Sequence, residues 1–336
     1  MEFAGIILDT SSISPLKRPQ HDTVYELLIL GGGPAAMSAA VYAARKMINL
    51  ALITQEFGGQ VKETSEIENY LGFQSVNARD LITKFKEHVI HFDIPISLGI
   101  SIIEVKKTED IFTIHMEDGT TFSCRTVILA TGERHRPLNV PGERELIGKG
   151  VAYCATCDAP LFKDKKVIVV GGANSAFTTT LDLLKVNAEV VLIGHSKGWK
   201  ADEALQERVK SYKKVQFLNY YDILRIEGKD KVEAVVIQNR ENQEEKKIIT
   251  DGIFVEVGFL PNSGPIKNLV ELNEKGEVIV DCLCRTNVPG FFAAGDVTSL
   301  PYKQIIISAG EGAKAALSAY DYLIKSENAD IAQKFS

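Results

Sequence analysis

Short, nearly continuous apolar runs punctuate this chain, and two of them open the same series of elements. Val24-Tyr25-Glu26-Leu27-Leu28-Ile29-Leu30 is almost wholly apolar. Such a run predicts a parallel-sheet strand covered on both faces. A glycine turn follows, Gly31-Gly32-Gly33-Pro34-Ala35-Ala36, then an alanine-rich stretch with helical spacing over 35–46, then a second apolar run at 50–54. The series returns further on: a strand at 166–170, the turn Gly171-Gly172-Ala173-Asn174-Ser175-Ala176, a helix over 177–185 and a strand at 189–193. Strand, glycine turn, helix and strand form a βαβ unit, the setting in which such a turn holds a dinucleotide. The fold class expected is α/β, with two Rossmann-like dinucleotide-binding domains of the three-layer ββα type.

Two more apolar runs, at 126–132 and 290–296, end in small residues and let backbone or ligand come close. They flank the second βαβ unit, so the first domain is expected to be interrupted and to resume near residue 262. The boundaries read as 23–135 with 262–326 for the first domain and 136–261 for the second. Proline-containing hinges fall at 133–137 and 260–265. Residues 1–22 show no periodicity and read as an N-terminal extension, packed on the first domain or dangling.

Composition narrows the function classes. The chain has 336 residues and a net charge of -6, with 45% hydrophobic and 24% charged residues. That balance gives no reason to expect nucleic acid or an anionic membrane as partner. No apolar run approaches the roughly 20 residues that span a bilayer. The N-terminus lacks the basic start and long apolar run of a secretory signal, so a cytoplasmic location is expected.

The five cysteines are Cys124, Cys154, Cys157, Cys282 and Cys284. An odd, sparse count does not fit an extracellular disulfide framework. Cys154-Ala155-Thr156-Cys157-Asp158 is a different matter. Two thiols separated by two residues can close and reopen a small disulfide, and a neighbouring carboxylate can exchange the proton this requires. The alternative for Asp158 is a cap on a turn beginning at Ala159-Pro160. A zinc site would pair two such motifs, but Cys282-Leu283-Cys284 is spaced too closely, so no metal is expected. Cys124, Cys282 and Cys284 read as small buried hydrophobes on strands.

Together these motifs resemble the low-molecular-weight thioredoxin reductase family of flavoproteins and the related flavoprotein module of alkyl hydroperoxide reductases. The likeness covers about residues 23–325. It is carried by Gly31-Gly32-Gly33-Pro34-Ala35, Gly58-Gly59-Gln60, Glu68-Asn69-Tyr70, Ala130-Thr131-Gly132, the dithiol pentapeptide, 290–297 and Tyr302-Lys303-Gln304. The resemblance implies FAD in the interrupted domain. Its site would include Gly31, Gly33, Pro34, Ala35, Glu56, Gly59, Gln60, Asn69, Ala130, Thr131, Gly132, Gly295, Asp296, Lys303, Gln304 and Ile305. Glu56 also stands where a ribose-binding acid is expected, with an exposed loop residue as the alternative. Asp296 would reach the flavin's sugar-alcohol chain, a role compatible with a helix cap. Cys157 would face the flavin, Cys154 would attack a partner's disulfide, and Asp158 would carry the proton. A homodimer is implied as well.

The second site departs from the family pattern. Ala173 replaces a glycine, and Thr178 and Thr179 stand where two acids usually open the helix. After the strand at 189–193 the family's phosphate-gripping arginines are missing, and no acid stands there for a ribose hydroxyl. Gly171, Gly172, Ala173, Asn174, Ser175, His195, Lys197 and Lys200 remain as a candidate nicotinamide-nucleotide site, with a solvated basic turn as the alternative. Trp199 either stacks on an adenine or packs. Three donors stay open: NADH, favoured by the likeness of 200–206 to the peroxide-reductase modules; NADPH through the lysines; or a carrier such as ferredoxin.

The activity expected is FAD-dependent reduction of a thioredoxin- or glutaredoxin-like protein disulfide. An oxidase that makes hydrogen peroxide and a flavin-bearing sensor without turnover are the rival readings.

Overall fold

The computed structural model describes residues 16–63 and 66–334. Contacts divide the chain into two compact units. Among the described residues, the first holds those up to Val61, Asp80–Glu133 and those from Pro261 onward; the second holds those of Lys62–Arg79 and Arg134–Leu260. The segment Lys62–Arg79, which the apolar pattern places with the first domain, therefore groups with the second unit.

The first unit is built on a seven-stranded sheet in the order Ile96–Leu98, Leu50–Thr54, Val24–Leu30, Thr121–Leu129, Ile111–Met116, Ile102–Thr108, with Phe291–Ala293 also paired to Thr121–Leu129. The strands carrying the glycine turn are parallel, and the last three form an antiparallel meander. Side chains alternate across the strand Val24–Leu30. Leu27 and Ile29 enter a core shared with helices, while Leu28 and Leu30 enter one shared with the meander. Burial on both faces is why the run carries no polar alternation.

Helix α1 (Pro34–Arg45) follows the glycine turn, α2 (Ala78–Ile90) comes later, and the chain's last helix, named below, lies over α1. The alanines of α1 let the two helices approach backbone to backbone. Residues 16–22 lie on this unit: Leu16 packs on its core, Lys17 O accepts from Ile96 N at 2.8 Å, and His21 stacks on Phe122 at 4.8 Å.

The second unit repeats the plan. Its five-stranded parallel sheet runs Val151–Ala152, Gly252–Val255, Lys166–Val170, Glu189–Gly194, Val215–Asn219. Val167 and Val169 face the helices, and Ile168 and Val170 face the other core. Its helices are α3 (Ala155–Asp158), α4 (Asn174–Lys185) and α5 (Glu203–Lys210). A separate antiparallel sheet joins Tyr221–Glu227, Ala234–Asn239 and Glu245–Ile249. The last helix of the chain, α6 (Ile305–Lys334), belongs to the first unit. The strands Glu133–His135 and Phe259–Pro261, where the chain crosses between units, pair with each other.

The three single cysteines do not share one environment. Cys124 is buried on the strand Thr121–Leu129, as its apolar surroundings predict. Cys284 is buried but sits at φ 62° in a turn, and Cys282 is exposed. The strand assignment fails for both because Asp281 Oδ1 accepts from Leu283 N and Arg285 N, at 2.9 and 3.0 Å, and curls the segment into an Asx turn.

Gly312 in α6 tests the helix contact. A Cβ there would lie 2.0 Å from Ala35 O. Helix propensity favours alanine over glycine by about 1 kcal/mol, but forcing α1 and α6 apart costs about 1–3 kcal/mol. Gly312→Ala should therefore lower the melting temperature; an unchanged or higher value would show that the helices can separate freely.

Candidate active site

Cys154 and Cys157 are joined as a disulfide, with Cα atoms 5.3 Å apart. Cys154 is the N-cap of α3, and its Sγ accepts from Cys157 N at 3.3 Å. One turn of helix brings residues three apart onto one face, which is what a Cys-x-x-Cys needs to close. The turn is anchored on both sides. Before it, Tyr153 donates from its hydroxyl to the buried Glu143 at 2.9 Å and stacks on His135 at 4.4 Å. After it, Ala159 and Phe162 pack into the helix-side core, Phe162 edge-on to Phe254 at 5.1 Å. Burial pushes the His135 imidazole down to about 4, so this anchor is uncharged at neutral pH. Asp158 begins the 3-10 turn Ala159–Phe162 but makes no side-chain capping bond to it.

The first glycine turn separates three requirements. A Cβ on Gly31, at φ 133°, would lie 2.1 Å from Ala130 O, and one on Gly32 would lie 2.1 Å from Glu56 O. Both glycines are demanded by the protein's own backbone. A Cβ on Gly33 would meet nothing within 4 Å. Gly33 caps α1 with no side-chain bond, Pro34 occupies the first turn, and no acid is there. Open space before unsatisfied backbone N–H groups fits an anionic pyrophosphate. Gly59 stands 3.6 Å from Gly33 by the same measure, and Gly132 is open at φ 66°.

The rest of the implied flavin site in this unit is tied together by polar bonds. Gln60 Nε2 donates to Glu133 O at 2.6 Å, Thr131 Oγ1 donates to Asn262 O at 3.0 Å, and Gln304 Nε2 donates to Lys303 O at 2.8 Å. Asp296 accepts from Ser308 Oγ at 2.9 Å, and Lys303 Nζ donates to Asp296 O at 3.2 Å and to Thr298 O. Gly295 N donates at 2.8 Å to Glu311, an acid in α6 that the motifs do not mark. Burial raises Asp296 and Glu311 above the usual carboxylate range. Glu133 is pushed up to about 7, first by burial and then by the charge of Asp296. Glu56 is exposed, Ile305 begins α6, and Ala130 and Ala35 are buried. Asn69 lies in the segment grouped with the other unit.

The second glycine turn copies the first. Ala173 caps α4 at φ -105°, ψ -176°, close to the -81° and -177° of Gly33. Its methyl projects where Gly33 leaves open space. A Cβ on Gly171 would lie 2.4 Å from Glu256 O. Asn174 and Asp202 hold each other through Nδ2–Oδ2 and Oδ1–N bonds of 2.9 and 2.8 Å, and Lys200 N donates to Gly172 O at 2.7 Å. Ser175 is exposed at the start of the helix. Thr178 is exposed, but Thr179 is buried and donates to Glu256 Oε1 at 2.7 Å. An acid thus stands beside α4 after all, reaching it from the end of a strand 77 residues away. Trp199 packs: its ring fills the space over Gly194 and meets Phe177 edge-on at 5.3 Å.

The strand end after Gly194 is less bare than its local sequence. His195 Nδ1 lies 2.7 Å from Asp222, His195 Nε2 lies 2.9 Å from Arg240 Nη1, and Lys197 pairs with Glu241 at 3.3 Å. The expectation of no arginine and no acid at this point is corrected by residues from the antiparallel sheet. Contacts formed across 27 and 45 positions leave no mark in a local motif.

This is the architecture of a two-domain flavin-type disulfide oxidoreductase, and the chain belongs to the pyridine nucleotide-disulphide oxidoreductase family, which it matches over residues 25–317. Members of that family use FAD and a nicotinamide nucleotide. The chain is 40% identical over 325 residues to the F component of alkyl hydroperoxide reductase from Staphylococcus aureus strain MSSA476, covering 97% of this chain and 64% of that one. It is 42% identical over 328 residues to the protein of the same name from Pseudomonas putida, covering 96% and 63%. The chain thus spans under two thirds of these curated relatives. A thioredoxin reductase from Streptococcus pyogenes MGAS5005 matches with a TM-score of 0.85 at 35% identity, covering 90% of this chain and 99% of its own. One from T. acidophilum matches with 0.62 at 37% identity, covering 89% and 99%. No helix among the described residues is long and apolar enough to cross a membrane.

Glu133 yields a pH test. Its folded pKa lies above the ordinary 4.5. Its contribution to stability is therefore present below pH 4.5 and lost as pH rises through about 7. Glu133→Gln should be more stable than the parent by about 2 kcal/mol at pH 8 and little different at pH 5. Urea unfolding at both values measures this, and an equal difference at the two would show an ionised Glu133 throughout.

Proposed function

We propose that the chain is a flavin-dependent reductase of protein disulfides that draws electron pairs from a reduced nicotinamide nucleotide and passes them through Cys157 and Cys154 to a small thioredoxin- or glutaredoxin-like protein. The observation that carries the reading is the closed Cys154–Cys157 pair on an anchored single turn, in a chain whose two glycine turns each leave a helix N-terminus uncapped by any side chain. Bound FAD would supply the two-electron relay between a hydride and a disulfide. Gly33 and Ala35 would offer backbone N–H groups to its pyrophosphate, with Asp296, Lys303 and Gln304 along its sugar chain and ring.

The remaining chemistry is the dithiol's own. Two electrons and two protons open the disulfide to two thiols. Cys154, as thiolate, attacks one sulfur of the partner's disulfide and releases the other as a thiolate. Cys157 then attacks the mixed disulfide, so the Cys154–Cys157 bond re-forms and the partner leaves with both thiols. Asp158 gives and recovers a proton at this pair; its place directly after Cys157, at the end of the same short helix, supports that role. The name shared by the curated relatives supports a partner that passes the electrons on to an alkyl hydroperoxide.

Cys154→Ser should slow reduction of a thioredoxin-like substrate by about a thousandfold or more, on the order seen when a nucleophile is removed. It should leave anaerobic bleaching of the flavin by nicotinamide nucleotide intact. Stopped-flow absorbance with NADH, NADPH or a reduced ferredoxin, beside a partner-thiol assay, measures both halves. Equal loss of both would contradict the assignment of Cys154, and bleaching by ferredoxin alone would remove nicotinamide from the path.

A further inference from the structure

The strand Glu189–Gly194 ends where, in a βαβ dinucleotide fold, the adenosine ribose is read. An acid there accepts from a free 2′-hydroxyl, and cations there hold a 2′-phosphate. The contiguous residues His195-Ser196-Lys197 offer neither an acid nor an arginine, but the fold delivers one of each. Tyr220, at φ 67°, donates its N–H to Gly194 O at 2.7 Å and turns the chain so that Asp222 arrives beside His195. Arg240 N donates to Tyr220 O at 2.9 Å, and its guanidinium lies over the Tyr220 ring at 5.1 Å. Asp222 and Arg240 are thus fixed to the strand end by backbone bonds, although they are remote from it in sequence.

The hydrogen bonds decide the charges. An arginine can only donate. His195 Nε2, 2.9 Å from Arg240 Nη1, therefore accepts, and the ring proton sits on Nδ1 and is donated to Asp222 Oδ1 at 2.7 Å. Arg240 Nε faces Asp222 Oδ2 at 3.2 Å, and Nη1 also reaches His195 O at 3.2 Å. With these edges committed, the guanidinium has no two-pronged face left for a phosphate. Lys197 is matched by Glu241. Arg240 and Lys197 are each matched by an acid, Asp222 and Glu241, while Lys200 is tied through its backbone N–H to Gly172 O of the glycine turn, so Lys200 is the cation left to meet a 2′-phosphate here. The Asp222 side chain keeps 40% of its surface open, and a carboxylate bonded twice still has lone pairs to accept a hydroxyl.

We infer that Asp222, oriented by His195 and Arg240, makes this strand end select NADH over NADPH. The inference rests on the reading of a nicotinamide nucleotide as donor and deepens it. Asp222 accepts from the ribose 2′-hydroxyl and repels the nearly dianionic 2′-phosphate. Arg240 holds Asp222 in place and offsets part of that repulsion.

The test is calorimetric binding to the full FAD-loaded chain, using two probes that cannot reduce the flavin: ADP-ribose and its 2′-phosphate. The parent protein should bind ADP-ribose more tightly. Asp222→Asn keeps the side chain's shape and removes its charge; it should shrink that preference about tenfold, weakening ADP-ribose and strengthening the phosphorylated probe. Arg240→Ala should move the preference the other way, because it leaves Asp222 without its counter-charge. Structural damage would weaken both probes together and leave their ratio unmoved. A parent that prefers the 2′-phosphate, or an Asp222→Asn ratio that does not change while binding persists, would overturn the inference and leave the proposed reductase standing. Absence of binding by either probe in the parent would overturn both the nicotinamide reading and this one.

Discussion

Close approach of backbone to backbone is the constraint on which both halves of this protein depend. At Gly31 and Gly171 a side chain would run into carbonyls of neighbouring strands, and at Gly312 into the first turn of α1. These contacts pin the start of each βαβ helix over the carboxyl end of its sheet. At α1 the start of the helix then faces open space, since a Cβ on Gly33 would meet nothing within 4 Å. A helix N-terminus carries about half a positive charge, and here neither α1 nor α4 neutralises it with a side-chain cap or a first-turn acid. The backbone at α1 is set to receive an anion; at α4 the Ala173 methyl occupies the corresponding place and Glu256 stands beside the first turns of the helix.

Around these turns the acids are buried, and each buried acid is held by a specific donor. Asp296 has Ser308, Glu311 has the Gly295 amide, and Glu256 has Thr179. An unpaired charge in such positions would cost several kcal/mol. Burial raises all three above the usual carboxylate range, and the donors pull them back down: Ser308 at Asp296, the Gly295 amide at Glu311, and Thr179 with Ser175 at Glu256. The same arrangement leaves acceptors near the carboxyl ends of the strands, where a sugar's hydroxyl groups would need them. Stability and ligand binding thus draw on the same atoms. At Glu133 the negative charge of Asp296 adds to burial, and the balance tips furthest toward the neutral acid.

What could be read from the sequence follows from locality. The strands Val24–Leu30, Leu50–Thr54 and Lys166–Val170 stand where apolar runs put them, because two-sided burial writes itself into consecutive residues. The dithiol turn was legible too, since three residues suffice to close it. Apart from the run that ends Thr121–Leu129, the antiparallel strands were not. Ile102–Thr108 mixes two lysines and a glutamate into its strand, with one face open, and its apolar residues give no continuous run. Asp222, Arg240, Glu256 and Glu311 were invisible for a related reason: each acts on a residue brought near only by the finished fold. The absence of arginine after Gly194 was a true statement about the sequence and a misleading one about the site.

The dithiol sits on a helix of four residues, and the chemistry proposed for it would need that. A four-residue helix cannot sustain itself on its own hydrogen bonds, because nucleation leaves most of its N–H and C=O groups without helical partners. Its position is set from outside, by the Tyr153–Glu143 bond before it and the Phe162 contact after it. Ends held from outside around a short middle would let Cys154 and Cys157 separate and rejoin while the flanking strands stay in place. A long helix would resist that movement, and an unanchored loop would lose the spacing that re-forms the bond. Two small residues complete the compromise. Ala155 and Ala159 are buried against the helix-side core, while Cys154 and Cys157 are only half-buried. The proposed reaction with another protein's disulfide would require that accessibility, and the core beneath supplies the rigidity that the turn itself lacks.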